Sequence, residues 1–154
     1  MAFITDHRAH EQLRSAAKEL PGQGHGSDAF TLPSRRDSVA GARHRVRTEL
    51  ERRNVPAELC DHAVLVLSEL VTNAVLHATG AVIGCEVRVT ADQVRLDVHD
   101  QGTRDGVVGP RPADSRAESG RGLILVDSLA GAWGVVTHEN GAGRTVWATL
   151  PLHG

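Results

Sequence analysis

Aromatic side chains and lysine are scarce in this sequence of 154 residues. Aromatic residues make up 3% of it against 40% hydrophobic residues, so the core of the single domain that this length allows must be built mainly from valine, leucine and alanine. Lysine occurs only at Lys18, which follows Ala17. The phosphate loop G-x-x-x-x-G-K-[ST] needs a lysine directly after a glycine. The sequence therefore excludes a P-loop nucleotide site.

Cysteine is rare, and an excess of charge of either sign is lacking. Cys60 and Cys85 lie far apart without metal-ligand spacing, which predicts two buried thiols in a reducing compartment. The net charge of −2 gives no electrostatic footprint for nucleic acid and no basic face for a membrane surface. The N-terminal residues lack the apolar segment of a signal peptide, and we expect no membrane-spanning stretch. These absences predict a cytoplasmic protein that contacts neither nucleic acid nor membrane directly.

Glycine and proline divide the chain into two parts. Residues 1–27 are predicted to form a flexible N-terminal extension that ends in the glycine-rich stretch PGQGHGS, whereas residues 28–154 form one folded domain. Within the domain, apolar periodicity predicts three helices and five strands. The helices cover 37–53, 57–78 and 122–129, and the strands cover 29–32, 85–90, 94–99, 134–138 and 145–150.

The order of these elements predicts the fold class. The segment from Asp100 to about Ser119 is longer than an ordinary connection, which indicates a functional lid or a disordered segment. The order β-α-α-β-β-lid-α-β-β predicts an α+β fold. We expect a two-layer sandwich with the helices on one face of a mixed, mostly antiparallel sheet.

A polar strip runs along the second predicted helix. Glu69, Asn73 and His77 are spaced by four residues, which places them on one side of an otherwise apolar helix. A carboxylate and an amide are costly to bury without partners. This pattern alone leaves two interpretations open, a solvated helix face or a set of polar groups for a ligand.

Two glycine-containing segments lie at the ends of predicted elements. Asp100-Gln101-Gly102 follows the strand VRLDVH, where a carboxylate can accept a hydrogen bond from an amino group while the glycine lets a flat ring approach. Ser119-Gly120-Arg121-Gly122-Leu123 opens a helix, and the N–H groups at a helix N-terminus form an anion site. Alone, the first pattern is that of an ordinary turn and the second is a weak signal. Together with the polar strip they are far more specific.

The combination of the three segments resembles the Bergerat-fold (histidine-kinase-like) ATPase superfamily of gyrase, histidine kinases and mismatch-repair ATPases. Within it, the chain is most similar to the anti-sigma-factor serine/threonine kinases, over about residues 29–152. Residues 68–77 (SELVTNAVLH) resemble the N box of those kinases, and the segments 100–102 and 120–123 resemble their two glycine boxes. The strand GRTVW at 143–147 resembles their final segment, where a threonine sits near adenine.

The resemblance implies a role for each candidate residue. Asn73 would hold Mg²⁺, Glu69 would act as base toward the attacking hydroxyl, and Asp100 would bind the adenine amino group. The segment 120–123 would close over the phosphates. Some relatives place an arginine just before the Ser-Gly of the second glycine box, where this sequence has Glu118. The full implied ATP-binding set is Asn73, His77, Asp100, Gly102, Gly120, Arg121, Gly122, Leu123 and Thr145.

The resemblance also implies a function with cofactors and partners. ATP and Mg²⁺ are the implied cofactors, and a sigma factor and an anti-anti-sigma (antagonist) protein are the implied partners of a homodimer. The leading hypothesis is a serine protein kinase that transfers the terminal phosphate of ATP to a serine of the antagonist protein. The alternative is a non-catalytic, ATP-gated module that sequesters a regulatory partner. A stand-alone ATPase similar to the chaperone and gyrase group is a third hypothesis.

Overall fold

The computed structural model of the chain describes residues 26–77, 80–101, 123–139 and 143–153. These residues form an α+β fold in which a five-stranded sheet packs against helices. Residues 123–129 form a helical segment in addition to the two long helices. In chain order the elements are β1 (Gly26–Pro33), α1 (Ser38–Arg52), α2 (Ala57–His77), β2 (Val82–Val89), β3 (Gln93–Asp100), β4 (Ala132–Thr137) and β5 (Arg144–Pro151).

The sheet has the strand order β1-β2-β3-β5-β4. All four pairs of neighbouring strands are antiparallel. The predicted fold class is therefore confirmed, although the expected mixture with parallel pairs does not occur among the described strands. The reason lies in the order of the strands. β3 and β4 run in the same direction, but β5 lies between them and is antiparallel to both.

One face of the sheet, which we term the helix face, carries the hydrophobic core. Alternate residues of β3 point to it, namely Val94, Leu96 and Val98, each at most 1% exposed. They belong to one cluster with the buried residues of both long helices and with Val126 of the helical segment 123–129. The other face, which we term the outer face, carries the intervening residues, including Arg95 and Asp97.

Helix α1 follows the predicted amphipathic pattern. Ala42, Val46 and Leu50 are buried in the core, as the three- and four-residue spacing predicts. The same face also buries a charge. Glu49 is 7% exposed, and its carboxylate accepts hydrogen bonds from the guanidinium groups of Arg52 and Arg53, at 2.6 Å from Nε of Arg53. Burial alone would raise the pKa of Glu49, but these hydrogen bonds outweigh it and hold the pKa below its ordinary value.

Helix α2 is the central helix of the core. Its buried residues include Leu67, Leu70 and Ala74, on the side that faces the sheet. By length and composition alone α2 could cross a membrane, in contrast to the expectation of no membrane-spanning stretch. That is weak evidence, because the core helix of a soluble protein passes the same test and half of the most apolar stretch is buried inside the protein.

The strand boundaries differ from the predicted ones at the β1 and β2 edge of the sheet. β1 begins at Gly26, two residues inside the predicted extension, whose residues 1–25 lie outside the described part of the chain. β2 begins at Val82, three residues early, because Val82 pairs with Pro33 at the end of β1. Pro33 fits a strand there because β1 is an edge strand.

Both cysteines are buried free thiols, as predicted. Burial raises the pKa of the Cys85 thiol to about 12, and that of the Cys60 thiol is also raised, chiefly by burial. Each thiol therefore stays protonated at neutral pH and behaves as a small core side chain.

Candidate functional site

The C-terminal half of α2 and one end of the sheet come together. β2 and β3 form an antiparallel pair, so the start of β2 lies at the same end of the sheet as Asp100, the last residue of β3. Asp100 in turn pairs with Arg144, the first residue of β5, which also pairs with Thr137 of β4. We term this the site end of the sheet. Because only residues 78–81 connect α2 to β2, the C-terminal end of α2 is held there too.

The polar strip of α2 is not a solvated helix face. Glu69 and Asn73 are partly buried, and His77, in the last turn, is 8% exposed. By contrast, Glu58 and Asp61, near the start of α2, are exposed. Since Glu69, Asn73 and His77 occupy the last three turns of the helix, the strip runs toward the site end of the sheet.

Asp100 is the buried carboxylate of the site end, at 1% exposure. It continues the alternation of Val94, Leu96 and Val98, so it points to the helix face. Its Oδ2 accepts a hydrogen bond of 3.0 Å from Nε of Arg144. A carboxylate has about four lone-pair sites, so it can accept several hydrogen bonds at once.

A glycine fixes the approach of β5 to Asp100. Gly143 has a φ of +91°, in the left-handed region that favours glycine, and a Cβ added to it would lie 2.0 Å from the carbonyl oxygen of Asp100. Only glycine therefore allows the chain to pass this close to the Asp100 backbone at the start of β5. The close approach sets Arg144 directly beside the Asp100 carboxylate.

Arg144 was not identified from the sequence as a candidate site residue. In the structure, Arg144 is the residue of β5 that lies beside Asp100. It shares the helix face with Val146, Ala148 and Leu150. The signal that could have identified it is the alternation of β5 read together with the cross-strand register. A charged residue at the start of an otherwise apolar strand face, opposite a buried carboxylate, indicates a buried ion pair.

Thr145 lies on the other face of the sheet. Its Oγ1 is 3.1 Å from Nδ1 of His99 and 2.8 Å from Nε2 of His138. Because adjacent residues of a strand point to opposite faces, the structure does not bring the Thr145 hydroxyl together with Asp100. The expected contact of Thr145 with adenine stays a prediction.

A cavity of about 720 Å³ opens on the outer face. Thr145, His99 and His138 line it together with Asp97 and Glu86, whereas its described lining contains neither Asp100 nor any residue of α1 or α2. The cavity is therefore separate from the site end of the helix face, where the other described candidates converge.

The glycine boxes are only partly visible. Gly102, Gly120, Arg121 and Gly122 lie outside the described residues, as do Glu118 and the predicted lid from residue 102 onward. Leu123 is the first described residue of the helical segment 123–129, and it is partly buried against the core. The structure thus describes Glu69, Asn73, His77, Asp100, Leu123 and Thr145 of the candidate set.

The donor set fits a magnesium ion that is shared with a nucleotide. Among the described residues, no group of three or more His, Cys, Asp or Glu side chains could hold a metal ion by itself. Mg²⁺ prefers oxygen ligands and keeps several positions for water and phosphate oxygens. The amide oxygen of Asn73 is a ligand of that kind, and the carboxylate of Glu69 lies one turn away on the same side of α2.

Comparison with known proteins places the chain in a family. The solved structure of the RsbU and RsbW domains of Rv1364c from Mycobacterium tuberculosis superimposes with a TM-score of 0.58 and 20% identity. The match covers 81% of this chain and 32% of that one, so this chain spans about a third of that protein's length, and the likeness establishes the fold. No curated protein sequence matches this one. The sequence model of the histidine kinase-like ATPase domain matches residues 32–150, and the chain therefore belongs to the histidine kinase-like ATPase family.

Proposed function

We propose that the chain binds Mg-ATP between α2 and the site end of the sheet and acts in the cytoplasm as an anti-sigma-factor-like serine protein kinase. Membership of an ATPase family supports nucleotide binding. The observation that carries the proposal is the placement of the fully buried Asp100 on the same face and at the same end of the sheet as the polar strip of α2. The RsbW domain in the structural neighbour, together with the sequence resemblance to anti-sigma kinases, supports the finer assignment.

In this proposal each end of the nucleotide meets a different element. The Asp100 carboxylate accepts a hydrogen bond from the adenine amino group, a charge-assisted bond that contributes about 1.5–3 kcal/mol. The amide oxygen of Asn73 would hold Mg²⁺, which would neutralise charge on the phosphates, and His77 lies one turn further along α2. The segment 120–123 would close over the phosphates, and Leu123, its one described residue, packs against the core.

Glu69 is proposed as the base for transfer. It accepts the proton of the antagonist's serine hydroxyl while the hydroxyl oxygen attacks the terminal phosphorus, the bond between that phosphorus and its bridging oxygen breaks, and ADP leaves. Phosphoryl transfer depends mostly on positioning and charge neutralisation, so one group that orients the nucleophile suffices. The partly buried position of Glu69, one turn before Asn73, supports this role.

The proposed partners are a sigma factor, which the protein sequesters, and an antagonist protein, which it phosphorylates. A homodimer is proposed through β1, because β1 is an edge strand that pairs with β2 alone among the described strands. Sedimentation at tens of micromolar protein, with and without ATP, checks this part. A monomer under both conditions would contradict it.

A non-catalytic, ATP-gated binding module is the second candidate. Glu118 favours it, because some relatives carry an arginine at this place that can reach the terminal phosphate. An acidic side chain there adds like charge near the phosphates. Both candidates need ATP at the same site and differ only in whether the phosphate is transferred.

Substitution of Glu69 by glutamine separates the two candidates. We expect E69Q to bind ATP with the affinity of the parent chain and to lose about 10²- to 10⁴-fold in the rate of transfer to the antagonist's serine, the usual contribution of a general base. The assay follows labelled phosphate on purified antagonist proteins, with calorimetry of ATP binding in parallel. E58Q is the matched control, because Glu58 is an exposed glutamate of the same helix.

Two outcomes would contradict the kinase proposal in different ways. Transfer by E69Q at the parent rate would rule out Glu69 as the base. ATP binding by the parent chain without transfer to any antagonist protein would leave the ATP-gated binding module.

A further inference from the structure

The ion pair between Arg144 and Asp100 is incomplete on the arginine side. The Arg144 side chain is 10% exposed, and its one described hydrogen bond to the carboxylate runs from Nε. Nη2 of the same guanidinium is buried and has no hydrogen-bond partner. A buried donor on a charged group that makes no hydrogen bond is costly, so such a group calls for an explanation.

The orphaned donor sits beside the carboxylate that we propose for the adenine amino group. Adenine presents two neighbouring groups on one edge, the exocyclic amino donor and the ring acceptor N1. A carboxylate and an adjacent guanidinium N–H offer the opposite pattern, an acceptor beside a donor. Arginine holds its donors in a rigid fork, so fixing Nε on Asp100 also fixes the direction of Nη2.

We propose that Arg144 is a specificity-determining residue, which donates a hydrogen bond from Nη2 to N1 of the adenine held by Asp100. This inference rests on the proposed ATP binding. One edge of adenine then makes two hydrogen bonds, one with Asp100 of β3 and one with Arg144 of β5. Gly143 fixes the relative position of these two side chains, because its backbone conformation brings β5 against Asp100. The second hydrogen bond also satisfies the buried Nη2.

The test compares ATP with 1-deaza-ATP, in which a C–H group replaces N1 and the amino group remains. We expect the parent chain to bind ATP about 10- to 100-fold more tightly, the value of one hydrogen bond to a charged donor. R144M removes the donor, and we expect it to bind the two nucleotides with affinities within about twofold of each other. Calorimetry or competition against a fluorescent nucleotide gives the ratios.

Arg88 supplies the matched control. It is also a buried arginine that pairs with a carboxylate, that of Glu86, and its Nη1 is likewise buried without a hydrogen-bond partner, but it lies on the outer face. R88M should keep the preference of the parent chain for ATP. Thermal melting of each variant establishes that it is folded.

The results separate this inference from the function on which it rests. If the parent chain binds neither nucleotide, the proposed ATP binding itself fails. If it binds ATP and 1-deaza-ATP equally well, ATP binding stands and the role of Arg144 is overturned, whatever the folding of R144M. A preference that persists in R144M, or an ATP affinity that rises in it because Arg144 competes for Asp100, would also overturn the inference.

Discussion

The two faces of the sheet carry the same kind of pair, a buried arginine with a buried carboxylate, in two different states. On the outer face, Arg95 donates two hydrogen bonds to Asp97, both 3.0 Å long, from the same strand, and its guanidinium lies 4.9 Å over the ring of Trp147. On the helix face, Arg144 reaches Asp100 from the neighbouring strand by one hydrogen bond. Each of the two guanidinium groups also has one buried nitrogen that makes no hydrogen bond, Nη1 in Arg95 and Nη2 in Arg144, so the two pairs differ in how the arginine holds its carboxylate.

The difference indicates which pair serves the fold and which can serve a ligand. A bidentate pair satisfies both oxygens of the carboxylate with one guanidinium and adds geometric specificity to a strand. A pair joined by one hydrogen bond commits only Nε of the arginine to the carboxylate, so Nη2 of Arg144 lies at a fixed place beside Asp100 and can donate to a ligand there. We therefore interpret Arg95–Asp97 as structural and Asp100–Arg144 as the base-reading end of the nucleotide site.

Breaking the outer-face pair should have the largest effect on stability. R95M leaves the Asp97 carboxylate buried without its guanidinium partner, and we expect the free energy of unfolding to fall by about 3–5 kcal/mol. Urea denaturation measures this loss. Under conditions in which both R95M and the parent chain are folded, R95M should bind ATP with the affinity of the parent, because Arg95 and Asp100 lie on opposite faces of the sheet.

R47M is the control for this prediction. The ion pair of Arg47 with Asp61 is largely exposed, so its loss should barely change the unfolding free energy. If R95M instead kept its stability and lost ATP affinity, the division of the two faces into a structural and a ligand-binding one would be wrong.

Glu49 sharpens the comparison with a third pair, at the end of α1. Both Arg52 and Arg53 hydrogen-bond its carboxylate, but Arg52 is 66% exposed, so solvent screens part of the interaction. We expect E49Q to lower the unfolding free energy at pH 7 by about 1–2 kcal/mol, less than R95M. The hydrogen bonds hold the Glu49 pKa below its ordinary value of 4.5, so its contribution is present above that pH and is lost as the pH falls through the lowered pKa.

Denaturation of the parent chain and E49Q between pH 7 and pH 3 checks the sign. The gap between the two unfolding free energies should shrink as the medium becomes acidic. A gap that stays constant down to pH 3 would show that the destabilisation arises from packing instead of from the charge of Glu49.

The fold could be predicted because its signals are local and repeated. Ala42, Val46 and Leu50 recur at helical spacing along α1, and Val94, Leu96 and Val98 alternate along β3, so each pattern states which side is buried. The absence of parallel pairs could not be predicted. It depends on β5 lying between β3 and β4, which is a matter of tertiary order and leaves no local pattern.

The site could be predicted only as far as single elements determine it. Glu69 and Asn73 are neighbours on one helix, so their spacing alone places them together. Thr145 and Arg144 are adjacent on β5, and one residue decides which face each occupies. The face that each residue occupies depends on the cross-strand register with Asp100 and on the conformation of Gly143, and neither can be predicted from the sequence of β5 alone.

The most direct test of the account measures ATP binding after the same substitution on the two faces. D100N and D97N each replace a buried carboxylate of β3 that pairs with an arginine, three residues apart and on opposite faces. The account predicts that calorimetry with Mg-ATP shows an affinity about 10- to 100-fold weaker for D100N, because the carboxylate that receives the adenine amino group loses its charge. D97N, once shown to be folded, should bind ATP as the parent chain does. Equal affinities in the two variants, or a loss confined to D97N, would contradict the placement of the nucleotide at the site end of the helix face.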